Sequence, residues 1–105
     1  MAAKFPFNDL HSFKDYVTYV QTYLPDGFPP REGVGPDDQW TFDLTFSGLR
    51  LGLSMAISEK GDCQAFADCA AFIDDAERFY RSRDIRSGFA SLENVRKLLA
   101  RVPTW

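Results

Sequence analysis

One stretch constrains the fold of this chain more than any other: Trp40 to Ile57, WTFDLTFSGLRLGLSMAI. Large apolar residues stand at Trp40, Phe42, Leu44 and Phe46, with Thr41, Asp43 and Thr45 between them. After Ser47-Gly48 the alternation resumes with shifted parity at Leu49, Leu51, Leu53, Met55 and Ile57. Period-two alternation predicts strands with one buried face. With Ser47-Gly48 as a two-residue loop, Phe46 faces Leu49, Leu44 faces Leu51, Phe42 faces Leu53 and Trp40 faces Met55. One face is then wholly apolar, while Thr45/Arg50, Asp43/Gly52 and Thr41/Ser54 line the other. A one-residue slip would mix the two sets, so the pattern predicts an antiparallel β-hairpin in this register.

A helix competes for the same residues. Gly48, Gly52 and Ala56 recur every four positions, a spacing that lets helices approach closely. That spacing has its sharpest meaning inside a membrane, whereas this stretch carries Asp43 and Arg50. Two glycines also cost a soluble helix about 1 kcal/mol each relative to alanine. The balance favours the hairpin. An isolated hairpin is marginal in water, so it must pack on helices, with its edge covered by another strand or by a second copy of the chain. A homodimer is the expectation that follows.

The flanks read as helices. Asn8 or Asp9 caps the first, or Ser12 with Asp15 if it starts later. Its apolar stripe is Leu10, Phe13, Val17, Val20 and Leu24, with Tyr16, Tyr19 and Tyr23 completing the packing, and Pro25 ends it. Before it, Phe5-Pro6-Phe7 is an extended entry whose aromatics dock on the core. Residues 25–38, PDGFPPREGVGPDD, hold four prolines and three glycines and cannot be helical. Phe28 pins this long connection to the core or serves a partner, and the pin is the stronger reading. Arg31 to Gly35 offers a weak third strand. After the hairpin, Glu59-Lys60-Gly61 makes a turn and Asp62 caps a second helix. Its buried face is Phe66, Cys69, Ala70, Ile73, Ala76, Phe79 and Tyr80. Gly88 is the expected turn residue before a final helix, capped by Ser87 or Ser91, that carries Phe89, Leu92, Val95, Leu99 and Val102. The tail ends at Trp105. The order α-β-β-α-α makes a two-layer α+β fold, and 105 residues make one domain.

Chemistry is sparse. His11 is the only histidine, and no cysteine is placed to pair with it. Cys63 and Cys69, read into one helix, stand about 9 Å apart along its axis, too far for a disulfide. They also lack the spacing of a zinc or redox motif. Asp37-Asp38 and Asp74-Asp75 match no calcium loop, and Gly33-Val34-Gly35 is no dinucleotide fingerprint. No enzyme activity, cofactor or metal is expected. No apolar run reaches membrane-spanning length and the first residues do not resemble a secretory signal. A cytoplasmic location is the expectation.

Charge is the one asymmetry. Residues 1–75 hold five bases against twelve acids, and residues 76–105 hold seven bases against three. The latter half suggests a nucleic-acid surface of Arg81, Arg83, Arg86, Arg96 and Lys97. The competing and stronger reading is a solvated basic face that pairs in part with the acidic remainder. The leading expectation is therefore a small non-catalytic protein-interaction module, an adaptor, inhibitor or immunity-type factor. Its candidate partner contacts, on the 25–38 connection and the hairpin, are Phe28, Arg31, Thr41, Asp43, Thr45 and Arg50. In the tight hairpin, Thr41, Asp43 and Thr45 donate outward from the first strand's edge.

Overall fold

A computed structural model describes residues 5–33 and 35–103, and these residues contain helices and no strand. Helix α1 spans Leu10–Tyr23, α2 Phe42–Lys60, α3 Gln64–Arg81 and α4 Ile85–Ala100, with a single 3₁₀ turn at Pro36–Asp38. Helix α1 packs on α2 and α4, and α3 packs on the same two, so the four close into a ring around one core. The expected α+β fold is thereby corrected: the hairpin is a single nineteen-residue helix.

Helix formation at 42–60 follows from its ends and its small residues. Thr41 caps the start, its hydroxyl accepting from the Leu44 amide at 3.1 Å, and Asp43 adds negative charge to the first turn. Gly61 ends it at φ 88, a conformation that favours glycine. Buried positions Thr45, Phe46, Gly48, Leu49, Gly52, Leu53 and Ala56 then recur at helical spacing. The small residues form a notch for α1. A Cβ on Gly52 would strike the Phe13 ring, and one on Gly48 would strike Tyr16 and Phe5. Burying each ring contributes about 1.5–3 kcal/mol, more than the roughly 1 kcal/mol lost per glycine. The glycines mark close helix approach in a water-soluble core rather than a strand.

The residues that made the alternation look two-sided are shared between faces of α2. Leu49 and Leu53 point inward, Phe42, Leu44, Met55 and Ile57 are half-buried at the flanks, and Leu51 is exposed. With no strand edge among the described residues, the backbone of α2 bonds within itself and gives no reason for a second copy to pair there. The expected outward donors are likewise corrected. Thr45 donates its amide to the Thr41 carbonyl and its hydroxyl to the Phe42 carbonyl.

The other helices follow the sequence signals more closely. Asp9 caps α1 through a reciprocal box with Ser12, each side chain bonding the other's backbone amide. Glu59 of α2 accepts from the Leu10 amide at 3.0 Å, and Lys14 donates to the Val102 carbonyl at 2.7 Å, tying both ends of α1 to neighbours. Cys63, rather than Asp62, is the N-cap of α3, and no side chain bonds there. Helices α3 and α4 are joined through Ser82, Arg83 and Asp84. The Arg83 and Asp84 amides donate to the Tyr80 and Phe79 carbonyls, with Arg83 at φ 66 in the place glycine usually takes. Gly88 is therefore not the turn residue. It lies inside α4 beneath the Tyr80 ring, 2.8 Å from where its Cβ would be, and Asp84 rather than a serine caps the helix. Phe89 and Ala70, expected in the core, are exposed. The Arg31–Gly35 strand is absent on either side of Val34, where the chain turns; Val34 and Trp105 lie outside the described residues.

A polar clasp joins α1 to α4. Gln21, buried to 4% exposure, donates to the Glu93 carboxylate at 2.9 Å and to the Phe89 carbonyl, and accepts from Arg96. All its polar atoms are used, as a buried amide requires.

Substituting Gly52→Ala tests the notch. Helix propensity alone favours alanine by about 1 kcal/mol, but the added methyl must displace the Phe13 ring. The expected net result is a loss of about 1–3 kcal/mol, read from the urea midpoint. A gain in stability would mean the two helices do not meet here.

Candidate interaction cleft

The long connection between α1 and α2 is held down by side chains, not by regular structure. Gln39 accepts from the Arg31 amide at 2.6 Å and donates to the Arg31 carbonyl at 2.9 Å, closing residues 31–39 into a loop. The Arg31 guanidinium then lies 4.3 Å from the centre of the Trp40 ring. Phe28 packs against Tyr19, Tyr23 and Trp40 at centroid distances near 6 Å. Phe28 is thus half-buried and pins the connection to α1.

These contacts leave an open cleft of about 470 Å³ between α1 and the connection, lined by Pro6, Ser12, Asp15, Tyr16, Tyr19, Arg31 and Trp40. Its size falls in the range of small-ligand and peptide-anchor sites. The walls are stiff. Trp40 contacts Phe5, Tyr16, Tyr19 and Phe28, and Phe5 stacks on Phe7. Tyr16 is fixed at its far end, its hydroxyl donating to the Thr45 carbonyl of α2 at 3.0 Å. Burial pushes the Tyr16 phenol well above its ordinary range. Tyr19, nearer the surface, is raised less. Burial and the neighbouring Tyr23 raise it, while a hydrogen bond from Trp40 and the charge of Arg31 oppose them. Both tyrosines present neutral hydroxyls at neutral pH, and the charges at the rim are Asp15 and Arg31.

The six expected partner contacts divide between two places. Phe28 and Arg31 build the aromatic cleft. Thr41, Asp43, Thr45 and Arg50 belong to α2, where Thr41 is exposed, Thr45 is buried, and Asp43 and Arg50 join a surface network. In it Arg50 bonds Asp74 and Glu77, and Arg81 bonds Glu77 and Asp43. Tyr16, Tyr19 and Trp40 were not singled out from sequence as contacts. Their signal was the tyrosine spacing on α1 facing a proline-rich connection, and it was read only as core packing.

The five basic candidates do not form one face. Arg81 is engaged by Glu77 and Asp43, and Arg96 by Glu93 and Gln21. Arg83 and Arg86 are exposed near the α3–α4 turn with no ion pair among the described residues. Lys97 is exposed on α4, near Glu93. His11 is exposed in the first turn of α1, Cys63 is exposed, and Cys69 is buried with its Sγ 3.9 Å from the Val95 carbonyl. No described helix is long and apolar enough to cross a membrane. Comparison with known families, characterised proteins and solved structures finds no match to the chain.

Burial sets a pH limit on this structure. The Cys69 thiol is pushed up from 9.0 to about 12, and the Tyr80 phenol from 10.0 to about 12. Each group is neutral when protonated, so the raised values favour the fold below the unfolded pKa. That contribution is lost as pH climbs from 9.0 toward 12. The thermal midpoint should therefore fall progressively over that interval, and a flat midpoint would contradict the burial of these groups. In the same native protein a thiol reagent at pH 8 should modify Cys63 quickly and Cys69 only after denaturation.

Proposed function

We propose that this chain is a small protein-interaction module, without catalysis of its own, that holds an extended segment of a protein partner in the cleft between α1 and the 24–41 connection. The observation that carries the reading is the preorganised Tyr19–Trp40–Arg31 wall. Tyrosine, tryptophan and arginine dominate the energetics of protein interfaces, and rigid rings lose little entropy when a partner docks. A cleft with one acid and one base at its rim suits a partner segment with an apolar anchor and a polar flank. The module acts in this reading as an adaptor or inhibitor, and it needs no homodimer.

A selection of displayed peptides on the immobilised chain tests the proposal. Enriched peptides should shift the Trp40 indole resonance, and Tyr19→Ala or Arg31→Ala should weaken them about tenfold, the scale of a moderate interface anchor. Peptides that bind both variants as tightly as the parent chain would reject the cleft as the site.

A second reading rests on the exposed, unpaired Arg83 and Arg86 with Lys97 alongside: a regulator that binds nucleic acid at the α3–α4 turn. It requires affinity that drops steeply with salt. Labelled duplex DNA and single-stranded RNA, titrated at two salt concentrations, decide it. Salt-insensitive binding, or none at low salt, removes this reading.

A further inference from the structure

A second cleft, separate from the aromatic one, opens where the start of α2 meets the end of α3. It is lined by Phe42, Asp43, Tyr80 and Arg81 and has a volume of about 350 Å³. Its notable member is Tyr80, which is only 5% exposed. Its hydroxyl is buried and has no hydrogen-bond partner among the described residues. Leaving a hydroxyl unpaired in a protein interior costs about 1–3 kcal/mol. A Phe at the same position would avoid that cost while packing equally on Gly88, Phe42 and Phe46.

The surrounding groups narrow what would satisfy the hydroxyl. Arg81 bonds Glu77 through Nε and Nη2 and Asp43 through Nη2, so its Nη1 donors have no acceptor among the described residues. The Asp43 side chain is 80% exposed and retains acceptor capacity beyond its one bond to Arg81. Two sets of donors therefore ask for an oxygen, and one carboxylate asks for an N–H. The linked charges are Arg50 and Arg81 against Asp43, Asp74 and Glu77, one acid in excess. A further anion would enter against that excess, and a cation would meet Arg81, which already covers the Phe42 ring at 4.8 Å. A neutral group with both an acceptor and donors fits the set.

We propose that this cleft binds a planar primary carboxamide, its carbonyl oxygen accepting from the Tyr80 hydroxyl and the Arg81 guanidinium and its NH₂ group donating to the Asp43 carboxylate. The half-buried Phe42 ring supplies the apolar wall for the body that carries the amide. The same chemistry comes either from a small-molecule carboxamide or from an asparagine or glutamine side chain of a peptide.

Titration of the full-length, isotope-labelled chain tests the proposal with three probes: benzamide, benzoate and N-acetylglutamine methylamide. At least one amide should saturably shift the amide resonances of Phe42, Asp43, Tyr80 and Arg81, and benzoate should bind at least about tenfold more weakly, reflecting the charge and donor mismatch. A tighter fit for benzamide identifies the small-molecule source, and a tighter fit for the glutamine derivative the peptide source. Tyr80→Phe should weaken the amide about tenfold while leaving the urea midpoint unchanged or higher, since an unpaired hydroxyl is removed. Asp43→Ala, at an exposed position, should weaken it similarly. Absence of a saturable shift with either amide would overturn the proposal, as would equal binding of benzoate or undiminished binding by Tyr80→Phe. In those cases the hydroxyl is satisfied by water alone.

Discussion

The fold depends on the seating of two α1 rings, Phe13 and Tyr16, in the notch that Gly48 and Gly52 leave in α2. Both rings are almost fully buried, and the notch brings the two helices closer than ordinary side chains permit. The Tyr16 hydroxyl then reaches the Thr45 carbonyl, a bond that holds α1 against α2 in one register. From this contact the rest is positioned: Phe5 and Phe7 close over the rings, and Trp40 packs on Phe5 and Tyr16 just before α2 begins. The aromatic cleft inherits its floor and one wall from the same joint.

The opposite side of the ring is organised by polar groups. Gln21, Glu93 and Arg96 fasten α1 to α4 with complementary donors and acceptors. On the surface, Arg50 and Arg81 bridge α2 to α3 through Asp43, Asp74 and Glu77. These pairs are exposed, so each adds little stability, but together they neutralise part of the charge imbalance between the two halves of the chain. The basic residues left outside the network gather near the α3–α4 turn.

Much of the helical frame was legible. The capping residue Asp9, the stripe Leu10, Phe13, Val17, Val20, and the buried faces around Phe66 to Tyr80 and Leu92 to Leu99 follow from spacing and caps alone. The stretch 42–57 was misleading because its apolar residues satisfy two periods at once. Alternation made Leu51 an inward residue, whereas in α2 it faces solvent and Gly48 and Gly52 face inward. The deciding information was tertiary: only the rings of α1 give those glycines a purpose. The ends of the helix, Thr41-Phe42-Asp43 and Lys60-Gly61, did carry the correct signal, and it was outweighed by the alternation. At the candidate site, Phe28 as a pin was readable from its isolation among prolines. The Arg31–Gln39 clasp was not, because it joins residues eight apart with no periodic pattern.

A double-mutant cycle between Phe13 and Gly52 tests the central contact most directly. Phe13→Ala and Gly52→Ala are made singly and together, and unfolding free energies are measured in urea. If the ring occupies the notch, Gly52→Ala destabilises the parent chain but is neutral or stabilising once Phe13 is alanine, giving a coupling of about 1–3 kcal/mol. Additive effects within about 0.5 kcal/mol would show that the two residues do not touch, and the helical arrangement built on their contact would be wrong.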